Sequence, residues 1–377
     1  MHMKKAILIP DSFKGTLSSA QICDILQERI HCHFPQCETV CIPVADGGEG
    51  TAESFLAGVG GQKVYCTVKG PFFEDMPGYY ALLSDGTAVV ETAVCAGLPL
   101  VGEQRDPLRA TTYGVGQLIE KAIQDGCKKI IVGLGGSATN DCGAGAAAAL
   151  GTVFYDAEGK SFIPTGGTLS QIAKIQKADL PQDVQILAMC DIENPLYGST
   201  GAAHVFAPQK GADARGVKLL DEGLQHAAEM ILKNLGTDVS VLPGGGAAGG
   251  LGAGLFAFCG AELRSGIETV LETVGFDAML RDADIVFSGE GKLDSQSLGG
   301  KAVIGIAAHC KAQGVPLIAI VGGAERELPQ VFDAGVTAVF PIGRLPEDFS
   351  VSRTKSEINL YETADNILRL LRNSQRM

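Results

Sequence analysis

No stretch of this 377-residue sequence approaches the roughly 18 consecutive apolar residues of a membrane-spanning helix. Positive charge is also scarce, since 30 Lys and Arg residues stand against 43 Asp and Glu residues, a net charge of −13. A field of that sign repels the backbone of nucleic acids. We therefore expect no membrane and no nucleic acid among the partners. A small anionic ligand is still compatible, because lysines and helix N-termini create local positive sites.

Paired cysteines are missing as well. The eleven cysteines are scattered and form no CxxC pair, so neither a zinc site nor a disulfide framework is predicted. Only a few apolar residues separate the first lysines from Pro10, too few for the core of a signal peptide. We expect reduced thiols that fill core space in a cytoplasmic protein.

Two common signatures of phosphate chemistry are also lacking. The sequence contains neither GxxxxGK[ST] nor the set of protein-kinase motifs. Phosphoryl transfer would still need lysines or N–H donors for the phosphates, carboxylates for Mg²⁺, and an acid or base near the acceptor hydroxyl. Any such function must therefore be argued from individual loops.

Glycine, in contrast, is abundant: it occupies 50 of the 377 positions, about twice its usual share of about 7%. The glycines cluster after short apolar runs and before helical patterns. In the first such unit AILIP predicts a buried strand, and Ser18 with Gln21 predicts a capping box at the start of a helix that ends near Pro35. Repeated strand, glycine-rich turn and helix units predict a parallel sheet covered on both faces.

Residues 64 to 92 differ, because VYCTVKG, GYYALLS and TAVVETA are separated by turn-like segments and predict an antiparallel meander. We predict an α/β protein of two domains. A Rossmann/flavodoxin-like parallel-sheet domain is formed by both chain ends, residues 1–65 and 276–377, and a mixed α/β domain, residues 66–275, is inserted between them. The active site is expected in the cleft between the domains.

Polar side chains follow five of the predicted strands, where loops lead into helix N-termini. Ligands of open α/β sheets bind at these carboxyl ends, so several of these groups are expected to converge on one site. In chain order they are Asp11, Ser12 and Lys14; Asp46 and Glu49; Ser137, Thr139, Asn140 and Asp141; Asp191 and Asn194; Glu290, Lys292, Asp294 and Ser295.

Two glycine-rich segments allow more than one interpretation. GLGGSATND partly imitates a dinucleotide fingerprint, but its third glycine is replaced by Ala138. The polar residues that follow are better suited to phosphate or hydroxyl oxygens, so we favour an anion loop over a nicotinamide-binding loop. Residues 244–254 would either cradle a phosphate or permit close helix packing.

Five sequence blocks carry a resemblance to a known family: PDSFKGTLSS, PVADGGEGT, GLGGSATNDCGAG, CDIENPLYGSTGAAHVFAPQKGA and GEGKLDSQSLGGK. In this order, from about residue 5 to about residue 345, they resemble the type I glycerate kinase (glycerate 2-kinase) family. Two positions depart from the family pattern. Cys142 stands where glycine is expected, and Lys292 stands where arginine is common, which keeps the charge but loses the bidentate fork.

The resemblance implies a two-domain α/β enzyme that uses ATP and Mg²⁺ and phosphorylates D-glycerate at the 2-hydroxyl, giving 2-phosphoglycerate. On this hypothesis the loop of residues 11–14 faces the reacting groups, and Lys14 or Lys292 neutralises the glycerate carboxylate or the transferring phosphate. Asp191 would bind Mg²⁺, and Asp294 would accept the hydroxyl proton.

Other functions remain open from the sequence. The kinase could act on the 3-hydroxyl and give 3-phosphoglycerate. An NAD-dependent oxidoreductase of a small hydroxy acid would use the dinucleotide-like segment at residues 130–156, and a noncatalytic sugar-acid binding protein would also have two domains and a polar cleft. A homodimer is compatible with the sequence, which does not fix the number of subunits.

Overall fold

The computed structural model describes residues 3–44, 47–295, 297–299, 302–326, 328–344 and 347–373. Within them the chain divides into two compact units. Unit 1 comprises Met1–Ala45, Ala57–Val59 and Ile267–Met377, and unit 2 comprises Asp46–Leu56 and Gly60–Gly266. The domain bounds expected from the sequence, and a cleft shared by the domains, stay predictions.

The strands and helices of the described residues alternate along most of the chain. The strands are β1 (Lys5–Pro10), β2 (Glu38–Cys41), β3 (Gly61–Lys69), β4 (Asp75–Leu83), β5 (Ala88–Glu91), β6 (Lys129–Gly133), β7 (Val153–Tyr155), β8 (Ser161–Phe162), β9 (Lys174–Gln176), β10 (Gln185–Met189), β11 (Glu262–Arg264), β12 (Ile285–Gly289), β13 (Lys292–Leu293), β14 (Leu317–Val321), β15 (Gly323–Ala324) and β16 (Val336–Pro341). The helices are α1 (Ser19–His33), α2 (Thr51–Val59), α3 (Ala93–Ala96), α4 (Leu98–Val101), α5 (Tyr113–Gln124), α6 (Ala144–Ala149), α7 (Ala202–Phe206), α8 (Ala214–Leu235), α9 (Ala247–Cys259), α10 (Gly266–Val274), α11 (Phe276–Leu280), α12 (Ala302–Gln313), α13 (Pro329–Asp333), α14 (Phe349–Ser352) and α15 (Ser356–Asn373).

Unit 1 contains a five-stranded sheet in the order β16-β14-β12-β1-β2, and all its neighbouring strands are parallel. Counted from the other edge, this is the order of a flavodoxin-like doubly wound sheet, in which ligands bind where the strand order reverses. The reversal lies between β1 and β12, which pair up to Pro10 and Gly289. The loops that leave these two strands therefore occupy the ligand-binding edge of such a sheet.

Unit 2 contains a six-stranded mixed sheet in the order β11-β10-β6-β5-β4-β3. The strands β11, β10, β6 and β5 are parallel, whereas β3, β4 and β5 form antiparallel neighbours. The antiparallel part is the meander that the sequence predicts. The side chains of β5 are all buried and those of β6 nearly so, as expected of strands covered on both faces.

Local signals explain where the first helix begins and ends. The Ser18 hydroxyl accepts from the Gln21 backbone N–H at 3.2 Å, and the Gln21 side chain accepts from the Ser18 N–H at 2.9 Å. This reciprocal capping box is the one predicted, and such a cap contributes about 1 kcal/mol. The helix ends at His33, two residues before Pro35.

The predicted α/β class is confirmed, with a parallel sheet built from both chain ends and a mixed sheet from the middle of the chain. All eleven cysteines are free thiols, and Cys23, Cys95 and Cys142 are examples of those that are buried. Within the ranges given above, no helix is both long and apolar enough to cross a membrane.

Candidate active site

In unit 1 the loops after β1, β12 and β14 lie side by side. The backbone N–H of Asp11 donates to the Gly289 carbonyl at 2.8 Å, which ties the first two loops together. A Cβ at Gly291 would lie 3.3 Å from the Lys14 backbone nitrogen. The N–H of Gly322 donates to the Glu290 carbonyl at 3.0 Å and brings in the third loop. The predicted residues of both chain ends therefore share one edge of this sheet.

Lys292 lies between two carboxylates on that edge. Its Nζ is 3.1 Å from Asp294 Oδ2 and 3.0 Å from Glu325 Oε1, and 60% of its side chain is exposed. Glu325 also accepts from the Ser295 N–H at 3.3 Å. Hydrogen bonds to Glu325 and Asp294 raise the pKa of the Lys292 ammonium. Its positive charge is thereby kept, but it is partly neutralised by its neighbours.

Ser12 and Lys14 complete this loop cluster. The Ser12 N–H donates to Asp11 Oδ1 at 2.6 Å, which turns the Asp11 carboxylate back onto its own loop. The backbone of Phe13 pairs with Leu17 in a tight turn, and the Lys14 side chain between them is exposed. Lys14 is therefore an exposed residue at the point where the strand order reverses.

In unit 2 the loop of residues 134–143, called the anion loop below, follows β6 and is organised by Asp141. The Asp141 carboxylate is fully buried. It accepts from the Thr112 backbone N–H at 2.8 Å, the Thr112 hydroxyl at 2.9 Å, and the N–H groups of Gly143 and Gly145 at 3.1 and 3.2 Å. Burial raises the pKa of this carboxyl, although the four donors favour its charged form. Asp141 thus shapes the loop from inside.

A second charged group, Lys210, is buried beneath the anion loop. The side chain follows α7 and is only 3% exposed. Its ammonium donates to Ser137 Oγ at 2.9 Å and to the Thr139 carbonyl at 2.7 Å. Burial lowers the pKa of Lys210 to about 7, against the attraction of Asp141, which raises it. The anion loop is therefore hydrogen-bonded to a lysine whose charged form is disfavoured by desolvation.

Asn140 is the least satisfied polar side chain of the anion loop. It is fully buried, and neither its amide nitrogen nor its amide oxygen has a hydrogen-bond partner among the residues that the structure describes. Thr139 beside it places its hydroxyl 3.4 Å from the Ala248 carbonyl. An unpaired buried amide costs about 1 to 3 kcal/mol. Such a group calls for a partner, which a ligand or a water would supply.

Residues 244–254 pack directly against the anion loop. A Cβ at Gly249 would lie 2.1 Å from the Thr139 carbonyl oxygen, and one at Gly254 would lie 2.3 Å from the Cys142 carbonyl oxygen. Of the two interpretations left open by the sequence, these contacts favour close packing. Cys142 itself has φ of 55°, in the left-handed region that favours glycine, which accounts for the glycine that the family pattern places there.

Asp191 and Asn194 follow β10, the strand next to β6. Asp191 is exposed, and its Oδ1 accepts from the Gly266 N–H at 2.8 Å and from the Ser265 hydroxyl at 3.2 Å. Asn194 donates from its amide to the Thr200 carbonyl at 2.8 Å. The carboxylate is thus oriented at the loop surface, whereas the amide fixes the fold of its own loop.

Glu49 lies in the loop before α2 and is exposed, while Asp46 lies outside the described residues. The loop is fixed by Glu91 at the end of β5, which is only 3% exposed. The Glu91 carboxylate accepts from the Gly50 N–H at 3.0 Å and the Ala52 N–H at 3.2 Å. Burial raises its pKa. Glu91 therefore caps a helix that has no side-chain cap of its own.

The predicted residues that the structure describes thus fall into two sets, one in each unit. Within unit 1 these are Asp11, Ser12, Lys14, Glu290, Lys292, Asp294 and Ser295, and within unit 2 they are Glu49, Ser137, Thr139, Asn140, Asp141, Asp191 and Asn194. Sequence reasoning missed Lys210, Glu325 and Glu91. Of these, only Lys210 lies inside a sequence block that resembles the family.

The fold and these loops define an α/β protein with polar, lysine-bearing loops at the carboxyl ends of parallel strands. A model described as the glycerate kinase family matches residues 6–372. The chain belongs to the glycerate kinase family, as its sequence blocks predict. The prediction of a kinase is thereby confirmed, and a kinase family implies ATP as a substrate.

Individual relatives agree with the family match. A "Glycerate kinase" of Bacillus cereus is 40% identical over 368 residues, 96% of this chain and 97% of that one. A "Glycerate 2-kinase" of Escherichia coli K12 is 42% identical over 354 residues, 92% of this chain and 93% of that one. The crystal structure of a protein assigned as glycerate kinase 2 from Salmonella typhimurium LT2 superposes with a TM-score of 0.87 at 38% identity, and each chain is covered completely.

Proposed function

We propose that this protein transfers the γ-phosphoryl group of ATP to the 2-hydroxyl of D-glycerate, giving 2-phosphoglycerate and ADP. The observation that carries the proposal is the similarity, over nine-tenths of both chains, to the relative named glycerate 2-kinase. The bond from the γ-phosphorus to the bridging oxygen of ATP breaks. A bond from that phosphorus to the glycerate oxygen forms, and the hydroxyl proton passes to a base.

The lysines of unit 1 supply the positive charge that such a transfer needs. Lys14 is exposed at the reversal of strand order, and Lys292 is held in its charged form by two carboxylates. Phosphoryl transfer depends mainly on positioning and on neutralising charge. Lys14 or Lys292 would neutralise the glycerate carboxylate or the transferring phosphate. Asp294, paired with Lys292, would accept the hydroxyl proton.

Asp191 is the residue that fits Mg²⁺. Its carboxylate oxygens are hard ligands, and two hydrogen bonds from residues 265 and 266 orient them. Among the described residues no group of three or more His, Cys, Asp or Glu side chains could hold a metal ion alone. Mg²⁺ is usually held by one or two carboxylates together with substrate phosphates, so a single carboxylate is compatible with it. The ion would neutralise phosphate charge.

The anion loop would bind the remaining anionic or hydroxyl oxygens through Ser137, Thr139 and Asn140. Asp141 accepts hydrogen bonds in the interior, so its role would be to shape the loop. The proposal also includes a cytoplasmic location and assembly as a homodimer. Light scattering coupled to gel filtration tests the assembly, since a single species at about 39 kDa would contradict a dimer.

ADP release, followed with D-glycerate and with or without Mg²⁺, tests the proposed reaction. Turnover is expected only when ATP, Mg²⁺ and D-glycerate are all present. Asp191→Asn and Lys14→Ala are each expected to lower turnover about 100-fold, the loss typical of one transition-state charge contact. Asp179→Asn and Lys218→Ala change exposed residues of the same types and serve as matched controls. Near wild-type turnover in both site variants would contradict these roles.

A further inference from the structure

Lys210 is a buried cation that has no role in the reaction proposed above. The ammonium carries three hydrogens. Two of them go to Ser137 Oγ and to the Thr139 carbonyl, and the structure shows no third acceptor among the described residues. Replacing so buried a lysine by an apolar residue would avoid the cost of desolvating a charge. Its presence beneath the anion loop therefore needs a reason beyond packing.

The position of the Lys210 side chain is fixed by its own short segment. The Lys210 N–H donates to the Ala207 carbonyl at 3.0 Å. Arg105 donates to the Gln209 carbonyl at 3.0 Å, and the next residue, Gly211, has φ of 101° and packs against the Arg105 backbone. A side chain at Gly211 would collide there, since its Cβ would lie 2.5 Å from the Arg105 carbonyl oxygen. These contacts fix the turn that carries Lys210 and so limit where its ammonium can lie.

The hydrogen bond from Lys210 decides what the Ser137 hydroxyl does. A serine hydroxyl has one hydrogen and two lone pairs. Because Ser137 Oγ accepts from the ammonium, its own hydrogen points away from Lys210 and can be donated to another acceptor. A hydroxyl bonded to a cation is also a stronger donor, since hydrogen bonds in a chain polarise one another. Ser137 is therefore prepared to donate to an anionic oxygen.

Asn140 provides an independent sign of a ligand in the same loop. Its amide is completely buried, and its nitrogen and oxygen have no partner in the described part of the chain. Buried polar groups without partners are rare, and each calls for an explanation. Two residues separate Ser137 from Asn140, so one small ligand could accept from both. The amide N–H would donate to the same kind of oxygen as the Ser137 hydroxyl.

We propose that Ser137 and Asn140 form a binding site for an anionic oxygen of the substrate, and that Lys210 is the positioning residue that orients Ser137 for it. The inference rests on the proposed function and deepens it. Either the phosphate groups of ATP or the carboxylate of D-glycerate would supply the oxygen. The effect on the two KM values distinguishes the sources.

Three variants test the coupling: Lys210→Met, Ser137→Ala and the double variant. Each single change is expected to raise the KM of the bound substrate about tenfold, the loss of one hydrogen bond to a charged group. The double variant should resemble the single variants, because both remove the same interaction. A rise in the KM of ATP assigns the site to phosphate, and a rise in the KM of D-glycerate assigns it to the carboxylate.

Other outcomes would overturn the inference. If the double variant shows the product of the two single effects, Lys210 does not act through Ser137. If Lys210→Met lowers the melting temperature but leaves both KM values unchanged, its role is only structural. Should Lys210→Met fail to fold, Ser137→Ala and Asn140→Ala carry the test, and unchanged KM values in both would contradict the site.

Failure of this inference is distinguishable from failure of the proposed function. Absence of turnover in the folded wild type would contradict the function alone. The site is then tested by the rise in melting temperature that inorganic phosphate or D-glycerate produces in the wild type. We expect Ser137→Ala and Asn140→Ala to reduce that rise for one of the two probes. An equal rise in the wild type and both variants would overturn the site.

Discussion

Two lysines of this enzyme, Lys210 in unit 2 and Lys292 in unit 1, are held in opposite ways. Lys210 is 3% exposed and donates to a hydroxyl and a carbonyl, whereas the Lys292 side chain is 60% exposed and lies between two carboxylates. Burial lowers the pKa of Lys210 to about 7, and the hydrogen bonds that Lys292 donates to Glu325 and Asp294 raise the pKa of Lys292. Lys210 therefore changes its protonation state near neutral pH, whereas Lys292 stays protonated there.

The difference in exposure determines which groups each lysine can contact. An exposed ammonium between carboxylates is available to substrate, and its ion pairs contribute little to stability because solvent screens them. A buried ammonium reaches substrate only through the groups it bonds, and its desolvation costs stability. We therefore expect changes around Lys292 to appear in kinetics, and changes around Lys210 to appear in both stability and substrate affinity.

The largest effect is expected for the buried network of unit 2. Asp141→Ala removes the acceptor of the four hydrogen bonds described above and of a fifth, from the Thr111 hydroxyl at 3.5 Å, and leaves their buried donors unpaired. We expect a loss of about 3 to 5 kcal/mol in the free energy of unfolding. Urea unfolding followed by circular dichroism measures it. The exposed control Asp179→Ala should change stability by less than about 0.5 kcal/mol.

The pH dependence of stability tests whether Lys210 is desolvated. Because its pKa is about 7 in the folded state and about 10.4 when unfolded, the unfolded chain binds more protons between these values. The contribution of Lys210 to stability should therefore rise with pH across this window and be lowest below pH 7. Relative to Lys210→Met, the wild type should gain about 3 kcal/mol from pH 7 to pH 10. A constant difference would show that Lys210 is not desolvated.

Lys292 gives the contrasting result, a kinetic effect with little change in stability. Lys292→Met is expected to lower kcat/KM about 100-fold, while the free energy of unfolding changes little, since its ion pairs are exposed and screened by solvent. Glu325→Gln removes one of the two partners and should cost less than tenfold in kcat/KM. A loss of stability in Lys292→Met as large as that of Asp141→Ala would contradict the comparison.

The smallest effect is expected for His309, a titratable side chain whose ring is paired with two carboxylates. Burial lowers its pKa, but its hydrogen bonds to Asp277 at 2.7 Å and Glu268 at 3.2 Å outweigh this and raise it. Its contribution to stability should be fully present below about pH 6.5, the unfolded pKa, and should fade as the pH rises through the raised folded value.

We expect His309→Gln to destabilise the protein by about 0.5 to 1 kcal/mol more at pH 5.5 than at pH 8.5. Thermal unfolding at the two pH values measures this. His31→Gln is the matched control, because the exposed His31 ring faces the Thr39 hydroxyl at 3.4 Å, a group whose charge does not change over this range. An equal effect of the two variants at both pH values would contradict the pairing.

Features that depend on neighbours in sequence could be predicted before the structure was known. The capping box of Ser18 and Gln21 spans three residues, and the buried strands β1 and β6 are short apolar runs followed by glycine-rich turns. The α/β class follows from repeating such units. The meander from β3 to β5 was also predicted, because alternation and turn residues are local signals.

Residues whose role depends on distant partners could not be predicted in the same way. Lys210 meets Ser137 across 73 positions, Glu91 meets Gly50 across 41, and Glu325 meets Lys292 across 33. In sequence each looks like an ordinary surface charge. The candidate site residues could be proposed from sequence because they follow strands, whereas these supporting residues act by burial or pairing that the fold creates.

The central claim is tested most directly by phosphorus and proton NMR of the product formed from ATP, Mg²⁺ and D-glycerate. This measurement identifies the product and its phosphorylated oxygen together. We predict 2-phosphoglycerate, with coupling between the phosphorus and the proton on carbon 2. A 3-phosphoglycerate signal would contradict the proposed position while keeping the kinase, and the absence of any ATP-dependent product from folded protein would contradict the proposed reaction itself.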